Sequence, residues 1–249
     1  LVLCSLHQTL TTLYQRDDDV EVRAFSPAGE RSIGRYPRSQ QLLEVLEAFD
    51  RDPTGYDLYI VLNPILISEN LPYRPLCGSS FAARWQQVAR RRWFLLDGDP
   101  IRDYIREDQR QPILYPVLDA DGAPLLEDGQ PVLEPHRHKV ATEAEWQATY
   151  DLMALVRQYL VGLGFEKVVL ASSGNGCHVL VYVDLPNTGA ARRLIEKVQQ
   201  RVLEKFSAPG VDIQAFSDAN RLVRCYGSLN RKGHEAPNRT YRRSGVIYE

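Results

Sequence analysis

From Trp93 onward the apolar residues switch between two spacings, and that switching limits the chain to few folds. "WFLLDGD" (93–99) repeats every second residue, as a strand does. After a loop-like stretch, Trp146, Tyr150, Met153, Val156, Leu160 and Leu163 recur at about 3.6 residues, as on one face of a helix. Thr142 and Glu145 match a capping box at its start, and Gly164 stops it. "KVVLAS" (167–172) and "CHVLVYVDL" (177–185) are strands joined by an Asn-Gly turn. Asn187 or Thr188 then caps a second helix with the stripe Ile195, Val198, Val202 and Phe206, ended by Pro209-Gly210. "VDIQAF" (211–216) and "RLVRCYG" (221–227) are short closing strands.

The order is therefore β-α-β-β-α-β, the split βαβ pattern of ferredoxin-like and RNA-recognition-like folds, and the expected class is α+β. Both helices are expected on one face of an antiparallel sheet, leaving the other face for a substrate. Residues 1–92 form an N-terminal α/β module, with a helix over "SQQLLEVLEAFD" (39–50), a β-rich "YDLYIVLNPIL" (56–66) and a helix over "FAARWQQVARRRW" (81–93). Residues 93–249 form the second module, carrying an insertion at about 106–140 with a hairpin around Asp121-Gly122. The two are expected to pack as one domain.

Composition excludes several classes. The 249 residues are 44% hydrophobic and 25% charged, ordinary for a soluble globular chain, and no apolar run approaches the ~18 residues that span a bilayer. "LVLCSLHQTL" lacks a basic n-region and a cleavage site, and the four cysteines form no CxxC pair. Free thiols, a cytoplasmic location and no zinc site are expected. The net charge of −2 gives no global attraction for nucleic acid, yet the tail is locally basic: Arg221, Arg224, Arg231, Lys232, Arg239, Arg242 and Arg243 face only Glu235 and Glu249 in sequence.

Alternation in "LLDGDP" puts Asp97 and Asp99 on one face, with Cα atoms roughly 6.5–7 Å apart, while Gly98 points at the helices. Adjacent carboxylates repel, and a hard divalent cation such as Mg²⁺ or Mn²⁺ removes the repulsion. In "SSGNGCHVLVYVDL" (172–185), His178, Leu180 and Tyr182 fall on that same open face. The turn before them (Ser172, Ser173, Gly174, Asn175, Gly176) offers hydroxyls and accessible N–H groups to an anion. Asp212 is available as a third carboxylate, and Arg221, Arg224, Asn230 and Lys232 supply donors for triphosphate oxygens. Taken singly, these are a solvated strand end, an ordinary hairpin turn and a surface loop. Together they are the equipment of two-metal nucleotidyl transfer.

"FLLDGDP", "SSGNGCHVLVYVDL" and "VDIQ…NRLVRCYGSLNRKG" resemble the three motifs of the archaeo-eukaryotic primase superfamily, in particular its primase-polymerases. "DLYIVLNPI" near residue 60 also resembles a segment of that group's N-terminal module, so the likeness runs from about 57 to 235. The resemblance implies a primase-type palm and synthesis or extension of primers from (d)NTPs on a DNA template with two divalent ions. It implies that Asp97, Asp99 and Asp212 ligate metal, and that Ser172 or Ser173 and His178 bind phosphates with help from Arg221, Arg224 and Lys232. The 106–140 insertion departs from shorter relatives, and no zinc-binding cysteine cluster, helicase motif or helical accessory primase domain is evident. If de novo priming requires such a domain, this chain extends primers only. Further domains, helicase or other replication proteins and CRISPR-associated proteins are the partners such a chain would have.

Two other readings compete. His136-Arg137-His138 with Tyr104 or Tyr150 matches the spacing of a rolling-circle nicking nuclease, although the pair falls in a Pro-rich loop. A non-catalytic single-strand-binding module would suit the fold, but such modules usually carry aromatic residues where this face carries acids.

Overall fold

The computed structural model describes residues 5–78, 80–101, 114–116, 126–127, 130–131, 133–135, 140–233, 235 and 239–248. The chain starts with α1 (Leu6–Leu13), β1 (Asp19–Phe25), β2 (Arg31–Pro37), α2 (Gln40–Arg51), β3 (Asp57–Val61) and β4 (Arg74–Cys77). Then come β5 (Arg90–Pro100), four short strands β6 (Leu114–Pro116), β7 (Leu126–Glu127), β8 (Gln130–Pro131) and β9 (Leu133–Pro135), and α3 (Glu143–Gly162). The rest is β10 (Val168–Ser172), β11 (Cys177–Pro186), α4 (Gly189–Lys205), β12 (Val211–Phe216), β13 (Leu222–Arg224), β14 (Leu229–Asn230), β15 (Arg242–Arg243) and β16 (Gly245–Tyr248). It is a mixed α+β protein with antiparallel sheets and, among the described residues, four α-helices. None of those helices is long and apolar enough to cross a membrane.

Two five-stranded sheets carry the fold, in the orders β13-β3-β1-β2-β4 and β12-β5-β11-β10-β16. In the second sheet β5, β10, β11 and β12 are the strands of the expected β-α-β-β-α-β run, and β11 lies between β5 and β10. The helix starts follow their capping chemistry. Thr142 and Glu145 form the reciprocal box of α3, and Thr188, not Asn187, caps α4 by accepting from the Ala191 N–H. Asn187 instead donates to the Trp85 and Val88 carbonyls.

The strand β5 is buried on both faces. Phe94 and Leu96 join Met153, Val156 and Leu160 of α3 in the helix-side core. Trp93 and Leu95 point the other way, into a core built with α1, α2 and the first sheet. The face expected to stay open is therefore largely covered, because Leu180, Val169 and Ala171 are apolar there too and pack against Leu13, Val22 and Leu58 in that core. Only the end of the face near Asp97 remains as a pocket.

Three other expectations change. Residues 81–93 are not a helix: a single 3₁₀ turn, Trp85–Gln87, precedes β5, which already starts at Arg90. Backbone pairing overrides the helical spacing, since Leu66 N–H donates to the Gln87 carbonyl (2.7 Å) and Ala89 N–H to that of Pro64 (2.8 Å). Leu163 leaves the α3 stripe; it follows the last helical residue and is exposed, and Gly164 with φ +92° turns the chain away. The closing strand β13 does not join the second sheet but pairs with β3 (Val223↔Ile60) as the edge of the first. The two parts on either side of residue 92 thus share strands and a core. In the insertion, β6 pairs with β9 and β7 with β8, whereas Asp121-Gly122 lies outside the described residues. Cys77 and Cys177 form no disulfide; Cys4 is outside the described residues.

A shared core predicts one cooperative unfolding transition. Trp93 is 2% exposed and donates its indole N–H to the Leu13 carbonyl (2.9 Å). Trp93→Ala should cost about 3–5 kcal/mol in urea unfolding and shift the whole transition. Two separate transitions would show that the modules fold independently.

Candidate active site

At the uncovered end of the second sheet, a pocket is lined by residues from four separate segments. Tyr59 comes from β3, Asp97 and Asp99 from β5, Ser173, Asn175 and His178 from the hairpin, and Arg221, Leu222, Val223, Arg224, Asn230 and Lys232 from the tail. Most of the residues singled out by sequence therefore meet in one place.

Gly98 explains why the carboxylates share one side. A Cβ there would lie 2.7 Å from Met153 Cγ and Sδ, so α3 crosses directly over the strand and leaves that slot to glycine. Asp97 and Asp99 are forced onto the opposite face. On one flank His178 is the register partner of Asp97, and its Nε2 lies 3.3 Å from Asp97 Oδ1. Its Nδ1 meets the hydroxyl of the fully buried Tyr226 at 2.6 Å. On the other flank Asp212 is the register partner of Asp99, so the two carboxylates are cross-strand neighbours. Asp212 is exposed, accepts from Gln214 Nε2 (2.8 Å), and sits outside the pocket lining. Among the described residues, no three His, Cys, Asp or Glu side chains are placed to hold a single metal ion.

The Ser-Gly-rich turn is built differently from the expected anion cradle. Gly174 N–H donates to Ser172 Oγ (3.1 Å) and Gly176 N–H to Ser173 Oγ (3.0 Å), so these donors turn inward. Ser172 lies on the helix side, where its hydroxyl also accepts from the Trp146 indole N–H (3.0 Å), and it does not line the pocket. Ser173 does. The glycines act through space: a Cβ on Gly176 would lie 2.2 Å from the Gly98 carbonyl oxygen, and Gly174, at φ +97°, leaves room for Asn230. Asn175 is a brace, accepting from Ala141 N–H and donating to the Lys232 carbonyl.

The tail separates its cations. Arg224 is buried with its fork occupied by Asp57 (2.6 Å), Tyr59 Oη (2.8 Å) and Asn230 Oδ1 (2.8 Å). Asn230 in turn donates to the Ser173 carbonyl, tying the tail to the hairpin. Arg239 grips Glu145 with both nitrogens, Arg242 reaches Glu143, Arg243 binds Asp50, and Arg231 binds the Tyr56 and Asp50 carbonyls. Arg221 and Lys232 are different. Neither forms an ion pair with a described residue, and both line the pocket. The Arg221 guanidinium lies 3.2 Å over the Phe216 ring, with Nε buried and unbonded. Burial pushes the Asp97 carboxyl up, but His178, then Arg221 and Lys232, outweigh it and hold the group below the usual carboxylate range.

Sequence reasoning missed Asp57, Tyr59 and Tyr226. The alternation Asp57-x-Tyr59 puts the first two on one face, but nothing local shows that this face meets the tail. His136, His138 and Tyr104 lie outside the described residues, and Tyr150 stacks on Trp146 at 5.6 Å. Comparison with protein-family models and with curated proteins finds no match.

The depressed Asp97 value sets a sign. Its ionised form contributes stability above the unfolded carboxylate pKa, and this is lost as pH falls through the lower folded value. Wild type should therefore be more stable than Asp97→Asn at neutral pH, with the gap in Tm closing on acidification. A gap independent of pH would reject the electrostatic role.

Proposed function

We propose that this chain is the catalytic domain of a primase-polymerase of the archaeo-eukaryotic primase superfamily, adding nucleotides to a primer on a template by nucleotidyl transfer from (d)NTPs. One observation carries the reading: the two tail cations that form no ion pair with a described residue, Arg221 and Lys232, line the same pocket as Asp97 and Asp99. A cluster of acids alone would repel a triphosphate, and a cluster of cations alone would hold one without positioning its reacting phosphorus. The β-α-β-β-α-β run supports the palm assignment.

The donors fit hard divalent cations. Mg²⁺ is commonly held by one or two carboxylates plus substrate phosphates, not by an all-protein cage, so the Asp97–Asp99 pair in a pocket that also holds Arg221 and Lys232 is suitable. Asp97 and Asp99 would hold Mg²⁺ or Mn²⁺; Asp212, the cross-strand neighbour of Asp99, lies outside the pocket lining and would add negative charge beside the pair. Bound there, the ions would neutralise the acidic row and supply the Lewis acidity needed for attack of a 3′-hydroxyl on the α-phosphate, in which the Pα–O bond to the β-phosphate breaks, pyrophosphate leaves and the hydroxyl proton passes to solvent. Arg221 and Lys232 bind β- and γ-phosphate oxygens by charge-assisted hydrogen bonds. Tyr226 fixes the ring of His178 and aims its Nε2 at the Asp97 side of the pocket, where it would reach a phosphate oxygen. Arg224 and Asn230 position the tail.

Wild type should extend a labelled primer with dNTPs or NTPs in Mg²⁺ or Mn²⁺. Asp97→Ala/Asp99→Ala should lose at least ~10³-fold in rate, since metal assistance supplies several kcal/mol at about 1.36 kcal/mol per decade. Full activity in that variant would end the mechanism, and products on unprimed template would establish priming.

The two arginines should separate. Arg221→Ala should raise the nucleotide KM about 10–100-fold with Tm little changed, while Arg224→Ala should destabilise the fold by about 3–5 kcal/mol through the unpaired Asp57. Equal behaviour of the two variants in both assays would overturn the division.

A further inference from the structure

Among the described residues the exposed large aromatic side chains are Tyr73, Phe81 and Trp85, at 52%, 84% and 52%. All belong to one stretch. From Asn70 to Leu96 the sequence contains no Asp or Glu, yet it carries Arg74, Arg84, Arg90, Arg91 and Arg92. In a chain with net charge −2, that is a sharp local reversal of sign. Arg91 and Arg92 turn inward and Arg90 pairs with Asp184 (2.7 Å), while Arg84, between Phe81 and Trp85 in sequence, is exposed.

The backbone under these rings is not a loose loop. Ala83 is 1% exposed, its N–H donating to Glu21 Oε2 (2.9 Å) and its carbonyl accepting from Asn220 Nδ2 (3.1 Å). Glu21 is fully buried and held by Arg35 (2.9 Å) and Arg23 (2.8 Å). Arg35 also binds the Phe81 carbonyl, and Asn187 binds that of Trp85 (2.6 Å). Carbonyls at 81, 83 and 85 are thus fixed by side chains of three other segments, while the rings of 81 and 85 face solvent. Rigid aromatic rings that take no part in the core lose little freedom on stacking with a ligand. The platform also abuts the pocket: Asn220, which holds Ala83, directly precedes Arg221.

We propose that Phe81 and Trp85, with Arg84 between them, form a stacking platform for single-stranded nucleic acid, which carries the unpaired template away from the pocket. The proposal rests on the polymerase reading for the word template, but the surface itself makes a separate claim. Nucleobases stack on the rings, and phosphates meet the exposed Arg84 between them in sequence. This places the stacking residues beside the sheet, not on the face that single-strand-binding sheets use.

The test is binding of an oligothymidine to the whole chain without nucleotide or metal. Trp93 and Trp146 are buried (2% and 6%), so Trp85 is the tryptophan whose fluorescence a stacked base quenches. Oligothymidine should quench wild type and not Trp85→Phe. Phe81→Ala/Trp85→Ala should weaken binding at least about tenfold, as expected when stacking worth ~1–3 kcal/mol per base is lost. Its thermal unfolding should match wild type, and Arg221→Ala should bind the oligonucleotide normally. Unchanged affinity of the double variant, absence of quenching, or a dimer that this variant dissolves would overturn the proposal. Oligonucleotide binding that depends on both rings in a protein unable to extend primers would uphold the platform and reject the polymerase. Primer extension with ring-independent binding would do the reverse.

Discussion

The alternation of side chains along β5 is the constraint from which the site follows. Trp93 and Leu95 anchor the strand in one core, Phe94 and Leu96 in the other, each contributing on the order of 1.5–3 kcal/mol. With four consecutive residues fixed on alternate sides, the next two acids have no choice of face. The contact of Gly98 with Met153 closes the alternative, because a register slip would drive a carboxylate into α3. Apolar packing thus positions charged groups that could not hold themselves together.

Electrostatics then sorts the tail. Asp50 and Asp57 in the N-terminal part, and Glu143 and Glu145 at the start of α3, take up Arg243, Arg224, Arg242 and Arg239. These contacts hold an irregular segment of the chain against two sheets. They also neutralise most of its positive charge, so that what remains is concentrated beside Asp97. A basic sequence segment has become a scaffold that leaves two cations in the pocket, Arg221 and Lys232, outside any ion pair with a described residue.

Much of this was legible because the second half of the chain has clear periods. The strands around the Asn-Gly turn, the capping box at Thr142 and the slot at Gly98 all follow from local chemistry. Long-range partners did not. Leu222–Arg224 is too short for a pattern to say which sheet it joins, and its place beside β3 decides that Arg224 is braced by Asp57 while Arg221, also in the pocket, has no ion pair with a described residue. The hydrophobic spacing of 81–93 suits a helix equally well, and pairing with residues near 65 settles it otherwise. The apolar residues that share a face with the acids gave a hint that went unread: Trp93, Leu95 and Leu180 have no reason to face water.

The return of β13 to the first sheet has a temporal consequence. The pocket needs Tyr59, Asp97 and His178 together with Arg221 and Lys232, contacts between positions widely separated in the chain, and such closures form slowly. A growing polypeptide can complete both helical layers before residues 221–232 leave the ribosome. Until that segment docks on β3, Asp97 has His178 beside it but not Arg221 or Lys232, so the pocket takes its final charge only when the fold closes.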